Sequence, residues 1–348
     1  MLKRVSLISL GLLLIQAVIS AETIEITIPK VPEVPKVEAE VPTIKLIRDG
    51  KVESNSAPVQ KIEDEKKVQF SDHVAPTPTP KKSLKKVAKN KKEIKSDVGE
   101  IKRGRVSAYL QAPLMSSSDI SKALEGAGFK VLSIYSVDAM ATSIIFTNQA
   151  LIKAASKPER GFAAALRITL DKKDKTTTIS NPIFMLKAFL QEDYDATLAK
   201  ETLKNLKSLF KDLKESKEII KFSALEHFQF MMGMPKYEDM QVIKKASNEA
   251  LLKKLRASKK VVFEQKLQNG SYLVAVTLSK ETRGFISKIG YKNAALLPYP
   301  LLIENGEAKI LDPKYYIAVM YPLLEMSQFM TIAAVPDAIT KDIDRLFR

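Results

Sequence analysis

Apolar and polar positions follow the same order in two stretches of this chain. A shift of 131 positions (Pro313 minus Pro182) lays residues 144–189 on residues 275–320 without a gap. Residues of similar character meet along the whole overlap, and the same shift also covers most of residues 106–143. The pattern predicts that the globular part of the chain contains two tandem copies of one structural unit.

Within each copy, stretches that alternate apolar and polar residues predict strands. Residues 162–170 and 176–180 alternate on either side of the polar turn DKKD, and residues 294–303 and 308–311 do so around a turn at residues 304–306. Turns this short join antiparallel strands, because a parallel pair needs a crossover of about a dozen residues or more. The period of two also argues against a helix bundle.

Amphipathic helices with capping residues lie between the predicted hairpins. Ser116 and Asp119 have the spacing of a capping box. Asp195 and Asn248 each precede a run whose apolar residues recur at helical spacing. Together the pattern predicts an α+β fold of two tandem two-layer α/β units, each a mostly antiparallel sheet with helices on one face.

The first 21 residues have the composition of a secretory signal peptide. Lys3 and Arg4 precede an apolar run from Val5 to Ile19, and small residues follow as far as Ala21. As a helix this run spans roughly 22 Å, less than the hydrocarbon core of a bilayer at about 30 Å. We expect a cleaved signal peptide and a location in the periplasm, or otherwise exported, in a Gram-negative bacterium. The alternative is a membrane anchor retained over residues 1–21.

Residues 22–104 are interpreted as a disordered tether that precedes the folded units. Their first part is rich in proline, which removes backbone donors and favours extended conformations, and their last part is rich in lysine. After it we expect a first α/β unit over residues 105–214, an inter-unit connection over residues 215–236 and a second α/β unit over residues 237–348.

Composition and charge restrict the chemistry and the partners. The chain has no cysteine, which excludes disulfides, thiolate metal sites and cysteine nucleophiles. About half of the net charge of +16 lies between Lys81 and Arg105, where eleven basic residues stand against three acidic ones. Because the N-terminus indicates export, we expect this basic run to contact an anionic envelope surface, not a nucleic acid.

A proline-containing stretch in the second copy reads AALLPYPLLIE over residues 294–304. It resembles the bacterial domain-of-unknown-function family three-hundred-two, whose members carry a Gly-Leu-Leu-Leu-Pro-Cys-like strand before an apolar strand and an acidic turn. The resemblance implies a two-layer fold similar to one half of the TATA-binding protein, without DNA binding, and it implies no activity. Tyr299 stands where many members have Cys, and Arg167 stands where the proline belongs in the first copy.

Two prolines in this predicted strand, Pro298 and Pro300, carry a structural expectation of their own. Proline cannot donate to a sheet ladder, so the strand is expected to lie at a sheet edge or to contain a bulge. Arg167 leaves the corresponding edge of the other unit able to pair, and we expect the two sheets to meet there.

Polar and aromatic residues at corresponding places in the two units suggest a ligand pocket. Arginine offers a forked donor set that suits carboxylate or phosphate. The alternative is structural, since Asn or Asp before proline starts a turn and tyrosine packs with only its tip hydrated. The candidate ligand-binding residues are Arg160, Arg167 and Asn181 in the first unit and Tyr291, Asn293, Asp312, Tyr315 and Tyr316 in the second.

One histidine and three methionines lie close together in the connection: His227, Met231, Met232 and Met234. Soft thioether ligands suit Cu(I). Methionine also fills irregular gaps in cores. With one histidine nearby and no second cluster visible in the sequence, we favour core packing over a metal site, and we expect no cofactor.

These observations favour an exported, non-enzymatic binding module whose ligand is small and either apolar or anionic. The alternative is a structural, envelope-spanning interaction protein with a retained N-terminal anchor. An enzyme of unknown type is the third possibility. It has no named catalytic residues, because the sequence contains no phosphate loop, HExxH or dinucleotide fingerprint.

Overall fold

The computed structural model of the protein describes residues 97–348. The predicted signal peptide, the proline-rich stretch and most of the basic run lie outside the described residues. Within them the chain forms ten α-helices and thirteen β-strands, and every paired strand is antiparallel. The predicted α+β class is therefore confirmed.

The elements of the first half alternate between strands and helices. In chain order they are β1 (Arg105–Ser107), β2 (Tyr109–Pro113), α1 (Ser117–Gly126), β3 (Lys130–Ser136), β4 (Ala141–Thr147), α2 (Gln149–Ala154), a 3₁₀ turn (Gly161–Ala164), β5 (Leu166–Asp171), β6 (Thr176–Ser180), α3 (Pro182–Leu190), α4 (Ala196–Lys207), β7 (Lys214–Glu215) and β8 (Ile219–Lys221).

The second half repeats the order from β2 to α3, with two short helices in place of α2, and ends with two further helices. Its elements are β9 (Gln241–Lys245), α5 (Asn248–Ala257), β10 (Val261–Lys266), β11 (Tyr272–Val276), α6 (Lys280–Arg283), α7 (Phe285–Ile289), a 3₁₀ turn (Tyr291–Leu296), β12 (Tyr299–Glu304), β13 (Glu307–Ile310), α8 (Pro313–Met320), α9 (Met326–Thr331) and α10 (Val335–Asp344). No helix within residues 97–348 is both long and apolar enough to cross a bilayer.

The two main sheets share one strand order. Sheet 1 runs β3-β4-β5-β6-β2-β7, and sheet 2 runs β10-β11-β12-β13-β9. When β2 is matched to β9 and the following strands are matched in chain order, the first five positions of the two sheets correspond one to one. The two tandem units expected from the sequence are therefore alike in topology. β1 and β8 form a separate two-stranded sheet, to which the connection contributes β8.

Capping residues explain where several helices begin. Asn181 Oδ1 accepts from the Ile183 backbone N–H at 3.0 Å, and Asp312 Oδ1 accepts from that of Lys314 at 2.8 Å. Each is followed by proline at the first helical position, where the missing N–H costs nothing. The two Asx-Pro pairs therefore start helices α3 and α8.

One predicted cap is wrong by a residue. Ser247, not Asn248, caps α5, because its Oγ accepts from the Ala250 N–H at 3.2 Å. Asn248 instead accepts from the Gly306 N–H at 2.9 Å, and this bond ties the helix to the turn between β12 and β13.

The two units differ by two residues in one hairpin turn. The first turn is closed by the pair Asp171 and Thr176, and the second by Glu304 and Glu307. From the first turn to the second, the strand before the turn is displaced by 133 positions and the strand after it by 131. The expectation of a repeat without gaps is therefore wrong along β5 and β12.

The expectation of an edge strand at the prolines is also wrong. β12 is the central strand of sheet 2, with β11 on one side and β13 on the other, and its ladders contain no bulge. Pro298 precedes the strand, and Pro300 pairs with Ala275 of β11. β13 pairs with β12 only from Leu302 onward, so Pro300 lies beyond the part of the strand that is bonded on both sides.

Candidate functional site

Each unit places one 3₁₀ turn against the sheet of the other unit. Gly161–Ala164, here called crossing segment 1, contacts β11 and β12, and Tyr291–Leu296, called crossing segment 2, contacts β4, β5 and β6. The exchange brings the two sheets together with one face of each turned towards the other unit. These facing surfaces are called the inner faces.

Polar contacts just before crossing segment 1 fix it on sheet 2. The backbone N–H of Glu159 donates to Glu304 Oε2 at 2.9 Å, and Lys309 Nζ donates to Glu159 Oε1 at 2.9 Å. The Tyr237 hydroxyl donates to the Glu159 carbonyl at 2.5 Å. Beyond them the turn packs on apolar residues of the inner face of sheet 2, among them Leu302.

Contacts from the second unit identify the inner face of sheet 1. Arg167 Nη2 donates to the Pro298 carbonyl at 3.3 Å, and the Tyr109 hydroxyl donates to the Met320 carbonyl at 2.5 Å. The Tyr135 and Thr277 hydroxyls lie 2.6 Å apart. Since all three sheet 1 residues point to the same side of the sheet, that side faces the second unit.

The inner face of sheet 1 is polar. The strand registers place on it Ser143, Arg167, Thr169, Asp171 and Thr178. None of the five is more than 5% exposed. Each has a side-chain polar atom without a hydrogen-bond partner: the hydroxyl oxygens, the guanidinium Nε and the carboxylate Oδ2. In residues 97–348 only one other residue, Tyr316, has such an atom.

The corresponding face of sheet 2 is mostly apolar. Leu273, Ala275, Pro300 and Leu302 occupy its centre, and its charged residues near the turn between β12 and β13, Glu304, Glu307 and Lys309, bond to Glu159 or to one another. The contrast means that the polar surface is a property of the first unit and does not follow from the shared topology.

The polar surface carries two charged side chains, Arg167 and Asp171. Only Arg167 has neither an ion pair nor hydrogen bonds within a local turn. Asp171 Oδ1 accepts from two backbone N–H groups of its own turn. Arg167 makes one hydrogen bond, to a neutral carbonyl, and no carboxylate lies within 4.0 Å of its guanidinium in residues 97–348. A buried cation without a counter-ion is costly, and an anion beside it removes that cost.

Two tyrosines of the second unit lie in the part of the chain that Arg167 reaches, because Arg167 bonds to Pro298, the residue before Tyr299. Burial raises the pKa of the Tyr316 hydroxyl, and the positive charge of Arg167 opposes this rise. The Tyr316 ring meets that of Tyr299 edge-on, with centroids 5.1 Å apart. Burial also raises the pKa of Tyr109, whose hydroxyl is already bonded. Tyr316 therefore supplies a neutral hydroxyl on the second unit, whose pKa is influenced by the Arg167 charge.

Of the sequence-predicted ligand residues, the structure brings only Arg167 and Tyr316 together at this place. Arg160 lies at the other end of the interface, where Nε donates to Asp193 at 3.1 Å, the guanidinium pairs with Glu192, and Tyr237 lies beneath it at 5.5 Å. Its charge is thus already compensated.

The remaining candidates have structural roles or lie apart. Asn181 and Asp312 are helix caps, and the Asn181 amide also donates to the carbonyls of Gly99 and Ser107 at 2.9 and 2.7 Å. Asn293 donates to the Ile289 carbonyl within its own turn. Tyr291 lies beside Asp138, at the edge of the interface, and the Tyr315 hydroxyl reaches the Ala188 carbonyl.

Four residues of the polar surface were missed in the sequence: Ser143, Thr169, Asp171 and Thr178. A signal for two of them was present in β5, where Arg167, Thr169 and Asp171 alternate with apolar residues. That alternation predicted a strand of a hairpin and did not indicate what covers its polar face. The structure buries both faces of the strand.

The methionine segment of the connection is not packed in the core as expected. Met231 is 45% exposed and Met232 is 96% exposed, whereas Met234 is half-buried. His227 is exposed beside Glu226. In the basic run, the described part begins at Asp97, and Lys102 there forms ion pairs with Asp97 at 3.2 Å and Glu215 at 2.9 Å.

No protein-family model, no curated protein and no solved structure matches this chain. The resemblance to family three-hundred-two therefore stays a prediction from the residues that suggested it, and the candidate site is defined by its geometry.

Proposed function

We propose that this protein is an exported, non-enzymatic binding protein for a small organic anion, held on the inner face of sheet 1. The observation that supports this function is the buried guanidinium of Arg167, whose Nε has no hydrogen-bond partner, together with the buried Tyr316 hydroxyl of the second unit, which also has none. A carboxylate accepts from both groups and supplies the counter-ion that the protein does not provide.

The remaining unpartnered polar atoms on this face indicate which chemical groups the rest of the ligand carries. Successive inward residues on β5 are about 6.6 Å apart, so Thr169 and Asp171 lie roughly 7 and 13 Å from Arg167 along the strand. Ser143 and Thr178 flank Thr169 on the neighbouring strands. Hydroxyl groups along a short carbon chain would satisfy these donors and acceptors. The proposed ligand class is a hydroxylated carboxylate of about three to six carbons.

Ligand entry requires crossing segment 2 to move, because it covers this face. Lys292 of the segment donates to Glu218 at 2.8 Å, and Gly290, with φ of 98°, precedes the segment. Positive φ is readily adopted by glycine, so this residue is the natural pivot. Hydrogen exchange in residues 290–297 is expected to slow when the ligand binds.

The proposal is tested on the full chain in two steps. Native mass spectrometry of protein purified from its own envelope shows whether an anion co-purifies. Titration calorimetry then compares acetate, lactate, glycerate, gluconate and inorganic phosphate. We expect a hydroxylated carboxylate to bind, with binding lost in Arg167→Met and weakened about tenfold in Tyr316→Phe, which removes a single hydrogen-bonding hydroxyl.

Matched controls remove the same chemical groups elsewhere. Arg256→Met deletes an exposed guanidinium that pairs with Glu264, and Tyr272→Phe deletes a hydroxyl on the outer side of sheet 2. Neither is expected to change affinity. If no anion binds, or if all four variants bind equally, the polar surface is a structural feature and the proposed function is wrong.

The envelope-spanning alternative depends on residues 1–96, which lie outside the described residues, and it stays a prediction. Analysis of the mature N-terminus by mass spectrometry separates it from the exported form, because cleavage near Ala21 removes any anchor.

A further inference from the structure

Two methionine-bearing segments that are far apart in the sequence meet on the surface of the second unit. The rings of Phe230 and Phe329 pack with centroids 6.1 Å apart and planes inclined by 35°. Phe230 immediately precedes Met231 and Met232, and Phe329 lies on α9 together with Met326 and Met330. The aromatic contact thus brings four methionines to one region.

All four of these methionines are exposed to solvent. Met231 is 45% exposed, Met232 96%, Met326 43% and Met330 64%. The other methionines within residues 97–348 are buried or half-buried. Methionine is among the residues most often buried in proteins, so four exposed methionines in two segments that contact each other call for a chemical reason.

Within each segment the two methionines are close neighbours along the backbone. Met326 and Met330 are four residues apart on a helix, which places their side chains side by side on one face. Met231 and Met232 enter a tight turn, in which the Met234 N–H donates to the Met231 carbonyl at 3.0 Å and Gly233 has φ of 83°. Each segment therefore presents a pair of sulfur atoms.

We propose that Met231, Met232, Met326 and Met330 form a binding site for a soft monovalent metal ion, Cu(I). Thioether sulfur is a soft, uncharged ligand that selects Cu(I) over divalent zinc or magnesium. The chain has no cysteine, so methionine is its only source of sulfur ligands. A thioether has no proton to lose, so this site retains the metal at acidic pH, where thiolate and imidazole sites release it.

A partner protein or peptide docked on an apolar surface is the competing explanation for exposed methionines. The two are separated by replacing methionine with leucine, which keeps volume and apolar character and removes the sulfur. Cu(I) binding depends on the sulfur atoms, whereas apolar docking does not.

The test is an anaerobic titration of the full chain with Cu(I) in ascorbate, in competition with the chromogenic chelator bicinchoninate. We expect one Cu(I) per chain and, from X-ray absorption at the copper edge, a coordination shell made mainly of sulfur. Met232→Leu/Met330→Leu removes one ligand from each segment and is expected to weaken binding at least tenfold. The half-buried pair Met115→Leu/Met140→Leu serves as the control and is expected to bind like the unaltered chain.

Circular dichroism of both double variants verifies that the fold is retained, as expected for volume-conserving changes. A chain that fails to compete with the chelator overturns the proposal. So does a Met232→Leu/Met330→Leu variant with unchanged affinity, and an apolar docking surface is then the remaining explanation. The outcome is independent of the anion site, since none of these methionines belongs to the polar surface of sheet 1.

Discussion

Arg167 Nη2 donates a hydrogen bond to the carbonyl oxygen of Pro298 at 3.3 Å, and these two residues are 131 positions apart, the same distance as the sequence shift between the units. In the structure, however, β5 and β12 are displaced by 133 positions, so the structurally equivalent residues are Arg167 and Pro300. One of them is a cation and the other a neutral imino acid. A symmetric arrangement would offer two equivalent sites, whereas this pair leaves a single buried charge.

Two neighbouring threonines of β6 give a direct test of the polar surface. Thr178 Oγ1 lacks a hydrogen-bond partner, whereas Thr177 Oγ1, on the other face, accepts from the Met115 N–H at 3.1 Å. We expect Thr178→Val to leave the free energy of unfolding unchanged or to raise it by about 1 kcal/mol, and Thr177→Val to lower it by about 1–2 kcal/mol. Chemical denaturation of the ligand-free protein measures both. Equal losses in the two variants would show that Thr178 is satisfied within the protein.

Acid should weaken the attachment of crossing segment 2. Burial alone would raise the pKa of Glu218, but hydrogen bonds from Lys292 and Ser216 outweigh it and hold the pKa below its usual value of 4.5. A lowered folded-state pKa contributes stability above the unfolded pKa, and this contribution is lost as pH falls through the folded one. Unfolding free energies are therefore expected to drop below about pH 4.5.

The same ion pair can be isolated by substitution. Lys292→Met leaves Glu218 buried without its partner, and we expect a loss of about 1–3 kcal/mol at pH 7, less than for a fully buried pair because Lys292 is partly exposed. The difference from the unaltered protein should shrink towards pH 4. Lys245→Met, at an exposed pair with Glu307, is the control and should cost less than about 1 kcal/mol. A pH-independent difference would contradict the assignment.

The seating of crossing segment 1 depends on a glycine. A Cβ at Gly161 would overlap Leu302 Cδ1 and also meet Leu267 at 3.2 Å, whereas a Cβ at Gly126 in α1 would meet nothing within 4 Å. We expect Gly161→Ala to lower the free energy of unfolding by about 1–3 kcal/mol and Gly126→Ala to raise it by about 0.5–1 kcal/mol. Thermal unfolding monitored by circular dichroism compares the two. Should Gly161→Ala prove neutral, the segment is not held tightly against sheet 2.

The two Asx-Pro caps are expected to respond differently to a change of one atom. Asn181→Asp replaces an amide that donates to two buried carbonyls with an oxygen that repels them, and should cost about 2–5 kcal/mol. Asp312→Asn keeps the acceptor for the Lys314 N–H, and Gln241, which donates to the other Asp312 oxygen at 2.7 Å, can turn its amide to accept instead, so this change should cost less than about 1 kcal/mol. Denaturant unfolding at pH 7 measures both changes. A small cost for Asn181→Asp would reopen a ligand role for that residue.

Local chemistry in the sequence was sufficient for much of the fold. Period-two alternation and short polar turns identify the hairpins, and Ser116 and Asp195 are helix caps as predicted. The residues before Pro182 and Pro313, expected at most to start turns, start helices. These signals act within a few residues. Predictions based on them therefore do not depend on how distant parts of the chain pack.

Features that depend on long-range packing were not accessible in this way. Pro300 suggested a sheet edge, yet it lies in a central strand, because β13 is short enough to leave that residue unpaired on one side. The alternation in β5 predicts a strand, and only the exchange of crossing segments shows that another unit covers its polar face. Met326 and Met330 join Met231 and Met232 through a contact between Phe230 and Phe329, which no local pattern encodes.

The unequal inner faces have a consequence for how the protein is made. A chain emerges from its N-terminal end, so the first sheet must wait for the cover that residues 291–296 provide. During that interval it exposes serine, threonine and arginine to water and not an aggregation-prone apolar surface. The apolar face of the second sheet is synthesised last, when Gly161–Ala164 are already available to cover it. This order limits the aggregation of nascent molecules.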